Sequence, residues 1–338
     1  MRTVELGRTG EQVSQLALGA MLMGTATDEA SSFRMLDRYA DVGGRFVDTA
    51  NCYAWWPAPG NIGGESEQLL NRWFARSGKR DDMFLATKAG AWVRDPDALR
   101  SGTGGWDAMV EQWEGAGGDT LRQALDDSLR RLGTDHVDLF YVHVDDLSVP
   151  LEETLSALAE IVASGKARYL GWSNVRTWRL ERIRALCKEH SWPAPVAVQQ
   201  QHSYLRPKAG ADTRSIVADE QLDYLRANRD LSLIAYSPIL KGVYDDPAKR
   251  DGHPVMTSYD GPDAEARLAT LTGLAAELGV TPNQLVIAWL LHQTDPALVA
   301  IIGPRTEEQL EAALPALDIK LTDEQLGMLD GAGADPAR

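Results

Sequence analysis

Residues 45–53 read RFVDTANCY. Phe46-Val47 is a short apolar run with Asp48 directly behind it, and Tyr53 follows in the next loop. That is the pattern of a buried strand that ends on a carboxylate. A lone acid there reads most simply as a turn or helix-cap residue. Three later stretches repeat the oddity with different chemistry. ATKAG puts Lys88 behind an apolar run, YVHVDD puts His143 in one, and YLGWSN closes on Ser173 and Asn174. A carboxylate, a phenol, an amine and an imidazole therefore recur at successive strand ends.

Working outward, residues 3–6 and 12–14 read as a hairpin around Gly7-Arg8-Thr9-Gly10, and 16–21 as the first buried strand. Asp28 caps a helix to about residue 42, and a second helix covers 64–74. Further strands fall at 83–87, 137–142, 167–172, 196–198, 231–235 and 298–302, with helices at 120–132, 151–163, 179–190, up to 228, 265–278, 282–292, 307–314 and 322–329. Residues 91–118 break the rhythm. They are rich in Gly, Asp and Trp, with Trp92, Trp106 and Trp113 among them, and read as a lid or substrate loop. A second long loop covers 239–262.

Strict strand–helix alternation implies a parallel sheet. Eight such units without a linker imply one closed (β/α)8 TIM barrel over residues 1–338, with an N-terminal β-hairpin and extra helices. No Gly-x-Gly-x-x-Gly follows the first strand, so a Rossmann reading lacks its fingerprint. A barrel also accounts for the opening pattern, because such folds carry their sites at the carboxyl ends of the strands.

The composition is that of a globular chain, 44% apolar and 25% charged. A net charge of −15 argues against nucleic acid as a partner. Cys52 and Cys187 lack ligand spacing and read as free thiols in a reducing compartment, with no metal site. The amino terminus lacks an apolar segment of signal-peptide length, and no apolar run approaches the roughly 18 residues of a membrane span. A cytoplasmic protein that keeps away from membranes is the expectation.

Asp48, Tyr53, Lys88 and His143 suit carbonyl reduction. A phenol with its ordinary pKa of about 10 is a poor proton donor near neutrality. The Lys88 ammonium is expected to lower that value, Asp48 to hold Lys88 charged, and His143 to orient a substrate oxygen. Acyl transfer lacks a Ser or Cys paired with a base, and metal hydrolysis lacks ligands. Alone, Lys88 reads as a surface lysine and His143 as a core histidine; the joint pattern outweighs this.

At these residues the chain resembles the aldo-keto reductase family. The matching stretches are LGRTGEQVSQLALGAM, FVDTANCY, GGESEQLL, LATKAG, LRQALDDSLRRLGTDHVDLFYVHVDD, PLEETLSALAEIVASGKARYLGWSN, AYSPIL, TPNQLVIAWLL and IIGPRTEEQL. The resemblance implies a barrel that binds NADPH without a Rossmann fold, with Tyr53 as general acid. It implies that Ser173, Asn174 and Gln199 hold the nicotinamide carboxamide. Ser237, Leu240 and Gly242 would follow the pyrophosphate, and Gly303, Arg305 and Gln309 the adenosine end. A guanidinium at Arg305 suits a 2′-phosphate, which favours NADPH over NADH.

Three departures from the family pattern stand out. In the run QQQHSYL, residues 199–205, either Gln199 anchors the amide and His202 takes the stacking position, or a slip of one gives Gln200 and Ser203 those places. Ala312-Ala313 stands where many members carry Glu-Asn. The chain ends soon after its last helix, so substrate choice is expected to rest on loops 53–63, 91–118 and 205–214. Trp55, Trp56 and Trp92 form either loop packing or an aromatic wall for an apolar carbonyl or a sugar. Besides a reductase acting on a small-molecule carbonyl, two readings stay open: an NADPH-sensing regulatory subunit, and a sugar dehydrogenase running oxidatively. The chain is compatible with a monomer or a homo-oligomer.

Overall fold

The computed structural model describes residues 1–101 and 105–334, with backbone alone at 101 and 105–108. Strands β1 (Thr3–Glu5) and β2 (Gln12–Ser14) pair antiparallel. Then β3 (Leu16–Gly19), β4 (Phe46–Asp48), β5 (Phe84–Ala89), β6 (Val137–Val142), β7 (Ala167–Ser173), β8 (Ala197–Gln201), β9 (Ser232–Tyr236) and β10 (Leu298–Ile302) follow in chain order. They close a parallel barrel in which β10 pairs back onto β3. The hairpin plugs one end. Leu6 and Val13 join the inner core, and Gly7 donates its N–H to Ser232 Oγ at 2.7 Å. Gly7 has φ +57°, and a Cβ there would sit 2.5 Å from the Asp230 carbonyl, so only glycine fits the turn against the barrel.

Strand side chains alternate between two cores. Phe46, Ala86, Leu139, Tyr141, Ala197, Ile234, Val299 and Ile301 fill the barrel interior. Val47, Leu85, Phe140, Val198, Leu233 and Ala300 face the helices. The same parity continues to the carboxyl tier. There it turns Asp48, Lys88, Ser173, Gln199 and Tyr236 inward, because each lies an even number of residues beyond an inner-core neighbour or strand partner. Gly171 permits this packing: a Cβ on it would lie 2.4 Å from the Tyr141 ring.

The helices dock by apolar stripes. In Gly118–Leu132 the buried positions Leu121, Ala124, Leu125, Ser128, Leu129 and Leu132 follow a 3–4 spacing. Gly133, at φ 66°, ends that helix and donates its N–H to the Leu129 carbonyl. Thr281 and Gln284 form a capping box ahead of Pro282–His292, with proline in the first turn.

Three expectations differ from the structure. The second long loop, 239–262, holds short helical segments at Leu240–Gly242, Pro247–Arg250 and Pro254–Ser258. Residues 91–118 are not an irregular loop: they hold helices Pro96–Ser101 and Gly105–Gln112 above a neck. The neck is tied by Arg94 N to Gln112 O and Glu114 N to Trp92 O, each 2.9 Å. Asp95 Oδ1 caps the first helix at Ala98 N, 3.0 Å. Glycine-rich composition masked these short helices because neither is long enough to show a period. The strand expected at 196–198 extends to Gln201 because its glutamines bond inside the protein. Among the described residues no single helix is long and apolar enough to cross a membrane, and both cysteines are free and buried.

Candidate active site

β4, β5 and β6 deliver the reactive groups to one place. Lys88 is fully buried, and its ammonium spends its three donors on Asp48 Oδ1 at 2.5 Å, the Thr49 carbonyl at 2.7 Å and the Tyr53 hydroxyl at 3.2 Å. Asp48, itself buried, accepts a second bond on Oδ2 from Gln199 Nε2 at 2.8 Å. The buried charge pair is thus saturated, the condition under which such a pair is tolerated. Tyr53 and His143 keep partial exposure and stand edge to face, 5.7 Å between ring centroids. Because the Tyr53 oxygen accepts from Lys88, its own proton is left to donate elsewhere.

The electrostatics differ from the expectation in one respect. Burial pushes the Tyr53 phenol well above its ordinary value, and the Asp48 and Cys52 charges add to the rise. The expected lowering by Lys88 does not prevail, since Asp48 at 2.5 Å offsets the ammonium. His143 goes the other way. Burial, then the Lys88 charge, holds it well below the usual histidine range, so it is neutral at pH 7. Its ring Nδ1 lies 3.6 Å from Cys52 Sγ.

Beside this group, Ser173 Oγ donates to the Gln199 carbonyl at 2.8 Å. Asn174, at φ 52°, donates from Nδ2 to the His143 carbonyl at 2.8 Å and to Ser173 Oγ at 3.1 Å. Its Oδ1 accepts from the Tyr236 hydroxyl at 2.9 Å. Sequence reasoning passed over Tyr236, although its place after LSLIA made it a strand-end aromatic like the others. The glutamine register is also visible here. Gln200 faces outward to the Val175 carbonyl at 3.0 Å, leaving Gln199 as the glutamine at the site. His202 packs toward Trp289 with 6.1 Å between centroids, and Ser203 is locked to Pro238 O and Tyr244 OH. The side chains of His202 and Ser203 are thus committed to packing and hydrogen bonds outside this group.

Farther along the same rim, Ser237, Leu240, Lys241 and Gly242 all have left-handed backbones, φ 45° to 85°. Non-glycine residues in that region cost about 1–3 kcal/mol each and cluster where a loop has a task. Lys249 Nζ donates to the Lys241 carbonyl at 2.5 Å. The Lys241 amine is held down by burial, then by Arg305 and Lys249. These three cations have no carboxylate partner among the described residues. Gln309 Oε1 accepts from Arg305 N at 2.8 Å and shapes the loop, while a Cβ at Gly303 would meet open space. Cations gathered without counter-ions, beside a strained loop, fit a polyphosphate-bearing cofactor.

Among the aromatic residues, Trp56 stands 6.3 Å from Tyr53, edge to face, and Trp55 lies 5.9 Å from Trp56. Trp92 instead lies under the Arg131 guanidinium, and Trp113, like Tyr53, packs against the cluster of Ala50, Cys52, Ala91 and Val144. The side chain of Trp106 lies outside the described residues. Glu114 anchors the neck of the 91–118 excursion, accepting from Asn51 Nδ2 at 2.8 Å and Gly90 N at 2.7 Å. Among the described residues no group of three or more His, Cys, Asp or Glu is placed to hold a metal ion.

A closed barrel with this constellation at its carboxyl rim defines a class of oxidoreductase, and comparison with known proteins identifies the class. The model of the Aldo/keto reductase family matches residues 15–334. An uncharacterized oxidoreductase, YrpG, of Bacillus subtilis is 34% identical, covering 98% of this chain and 95% of its own. The norsolorinic acid reductase stcV of Emericella nidulans is 30% identical over 94% of this chain and 77% of its own. A thermostable aldo-keto reductase, solved with the inhibitor epalrestat, superposes with a TM-score of 0.71 at 28% identity, covering 98% of this chain and 100% of that one. The chain belongs to the aldo/keto reductase family and is an NAD(P)H-dependent oxidoreductase.

Proposed function

We propose that the protein reduces the carbonyl of an aldehyde or ketone to an alcohol, with NADPH as cofactor and Tyr53 as proton donor. The observation that carries the reading is the saturated Lys88 ammonium, which bonds Asp48 and donates to the Tyr53 oxygen, so the phenol keeps its own proton to give. NADPH, when bound, supplies the hydride. The chain's own residues do the rest. Tyr53 gives its proton to the oxygen as negative charge develops there. Neutral His143 donates a hydrogen bond that fixes the same oxygen. Asn174 and Ser173 would hold the carboxamide, with Gln199 bracing Asp48, and the Tyr236 ring would give the nicotinamide a face to lie on. Ser237, Leu240 and Gly242 would line the pyrophosphate. Gly303, Arg305 and Gln309 would take the adenosine end, joined by Lys241 and Lys249. The three unpaired cations support NADPH over NADH, since a 2′-phosphate adds charge for them to meet.

Trp55 and Trp56 beside Tyr53 support an apolar, flat carbonyl compound as substrate. One relative is named a norsolorinic acid reductase, which supports reduction as the direction. The test pairs wild type with Tyr53→Phe, following NADPH oxidation across aryl and alkyl aldehydes and ketones and measuring NADPH binding on both. Turnover should fall by roughly 10²–10⁴ in the variant while binding persists. Equal turnover by the variant would overturn Tyr53 as donor. Tight binding without wild-type turnover of any carbonyl would overturn reduction in favour of cofactor sensing.

A further inference from the structure

We infer that Cys52 is a positioning residue that sets the tautomer of His143: its thiol donates to Nδ1, leaving the imidazole proton on Nε2. The role of His143 rests on the reductase reading above; the tautomer itself does not.

The His143 backbone is held on both sides, its N–H by the Ala89 carbonyl at 2.8 Å and its carbonyl by Asn174 Nδ2 at 2.8 Å. The ring is therefore the part left to be oriented. Its one protein hydrogen-bond partner among the described residues is Cys52 Sγ, 3.6 Å from Nδ1. Within sulfur hydrogen-bond range, either the thiol donates to a bare Nδ1 or Nδ1–H donates to sulfur. Two facts favour the first. Cys52 is buried at 5% exposure among Ala50, Ala91 and Val144, a setting that holds the proton on sulfur; burial pushes the thiol up to about 12. Thioether and thiol sulfur are weak acceptors, whereas a neutral imidazole nitrogen is a good one. With Nδ1 filled, Nε2 carries the proton, and on the partly exposed ring it is free to donate to a substrate oxygen. The other tautomer would present a lone pair to that oxygen and repel it. Cys52 immediately precedes Tyr53, so one turn of chain places the proton donor and the group that orients its neighbour.

The test combines spectroscopy and kinetics on the full-length protein. Long-range ¹H–¹⁵N spectra, with His143 assigned by its absence in His143→Gln, should show wild-type Nδ1 unprotonated and shifted as a hydrogen-bond acceptor. In Cys52→Val the Nδ1 signal should move toward that of a free acceptor nitrogen. KM for the carbonyl should then rise roughly five-fold, the worth of one weak hydrogen bond, with NADPH affinity unchanged. Cys52→Ser, which restores a donor, should recover both readouts, and Cys52→Ala serves where valine impairs folding. A proton on Nδ1 in the wild type would overturn the inference. So would an unmoved Nδ1 signal in Cys52→Val, or a moved signal with unchanged KM. Should no carbonyl be turned over, the reductase reading fails while the spectra still decide the tautomer.

Discussion

The raised Tyr53 pKa sets the pH behaviour of the reaction in both directions. A phenol held well above 10 stays protonated across neutral and mildly alkaline solution. Reduction should therefore hold level between about pH 7 and 9. Alcohol oxidation, which needs the phenolate, should climb with pH over the same range. Initial rates in both directions check this. A reduction rate that fell tenfold per pH unit above 7 would restore the lowered pKa expected from the sequence. The buried pair gives a second prediction. Lys88→Met leaves Asp48 charged, buried and without its cation, which costs roughly 3–5 kcal/mol. Adding Asp48→Asn should return much of that stability and none of the turnover. Urea midpoints and activity, read on the same three proteins, separate the structural role of the pair from its chemical one.

Alternation along the strands explains how much was legible in the chain. Phe46, Ala86 and Leu139 face inward, and counting by two from them reaches Asp48, Lys88, Tyr141 and His143. Strand ends read from apolar runs therefore pointed to the tier in which these candidate groups gather. The β8 region resisted because Gln199, Gln200 and Gln201 carry no apolar signal; their register is fixed by Asp48 and by the Val175 carbonyl, both distant in sequence. Tyr236 stands one residue past the strand expected at 231–235, and only its hydroxyl bond to Asn174, distant in sequence, marks it as part of this group. The offset of the Lys88 charge by Asp48 also depends on a 2.5 Å contact that residue types cannot give. One strand position carries a sharp prediction. Because a Cβ on Gly171 would lie 2.4 Å from the Tyr141 ring, Gly171→Ala should cost roughly 1–3 kcal/mol by overpacking. Tyr141 lies under Lys88, with 6.0 Å from Nζ to the ring centroid, so turnover should fall as well. Denaturant midpoints with kcat check both effects. A neutral substitution would mean that the barrel interior has room that this packing denies.

For the whole molecule, titration limits the range of stability from both sides. His143 is held well below 6.5, and His202 is pushed down to about 4, by burial first and then by Lys88 and Arg267 respectively. Unfolding at pH below 6.5 exposes both rings, which then bind protons that the folded state refuses. Their stabilisation is complete above 6.5 and is lost as pH falls through the depressed folded values. On the alkaline side, the half-buried Tyr53 and the buried Tyr141 and Tyr244 are phenols with raised values, Tyr244 at about 12. Their contribution is full below 10 and is lost as pH rises through those values. The unfolding midpoint in urea should thus be level from about pH 7 to 9 and fall toward pH 4. Exposed carboxylates lowered by caps, such as Asp28 bonded to Ser31, push the acid limb the same way. Glu114 opposes it, since burial raises its carboxyl and protonation is easier in the fold. His202→Phe separates the histidine part. It keeps a ring against Trp289 while removing one proton-binding site, so the drop from pH 6.5 to 4 should become shallower with the neutral plateau kept. An acid limb as steep as that of the wild type would assign the loss to carboxylates and leave His202 as packing alone.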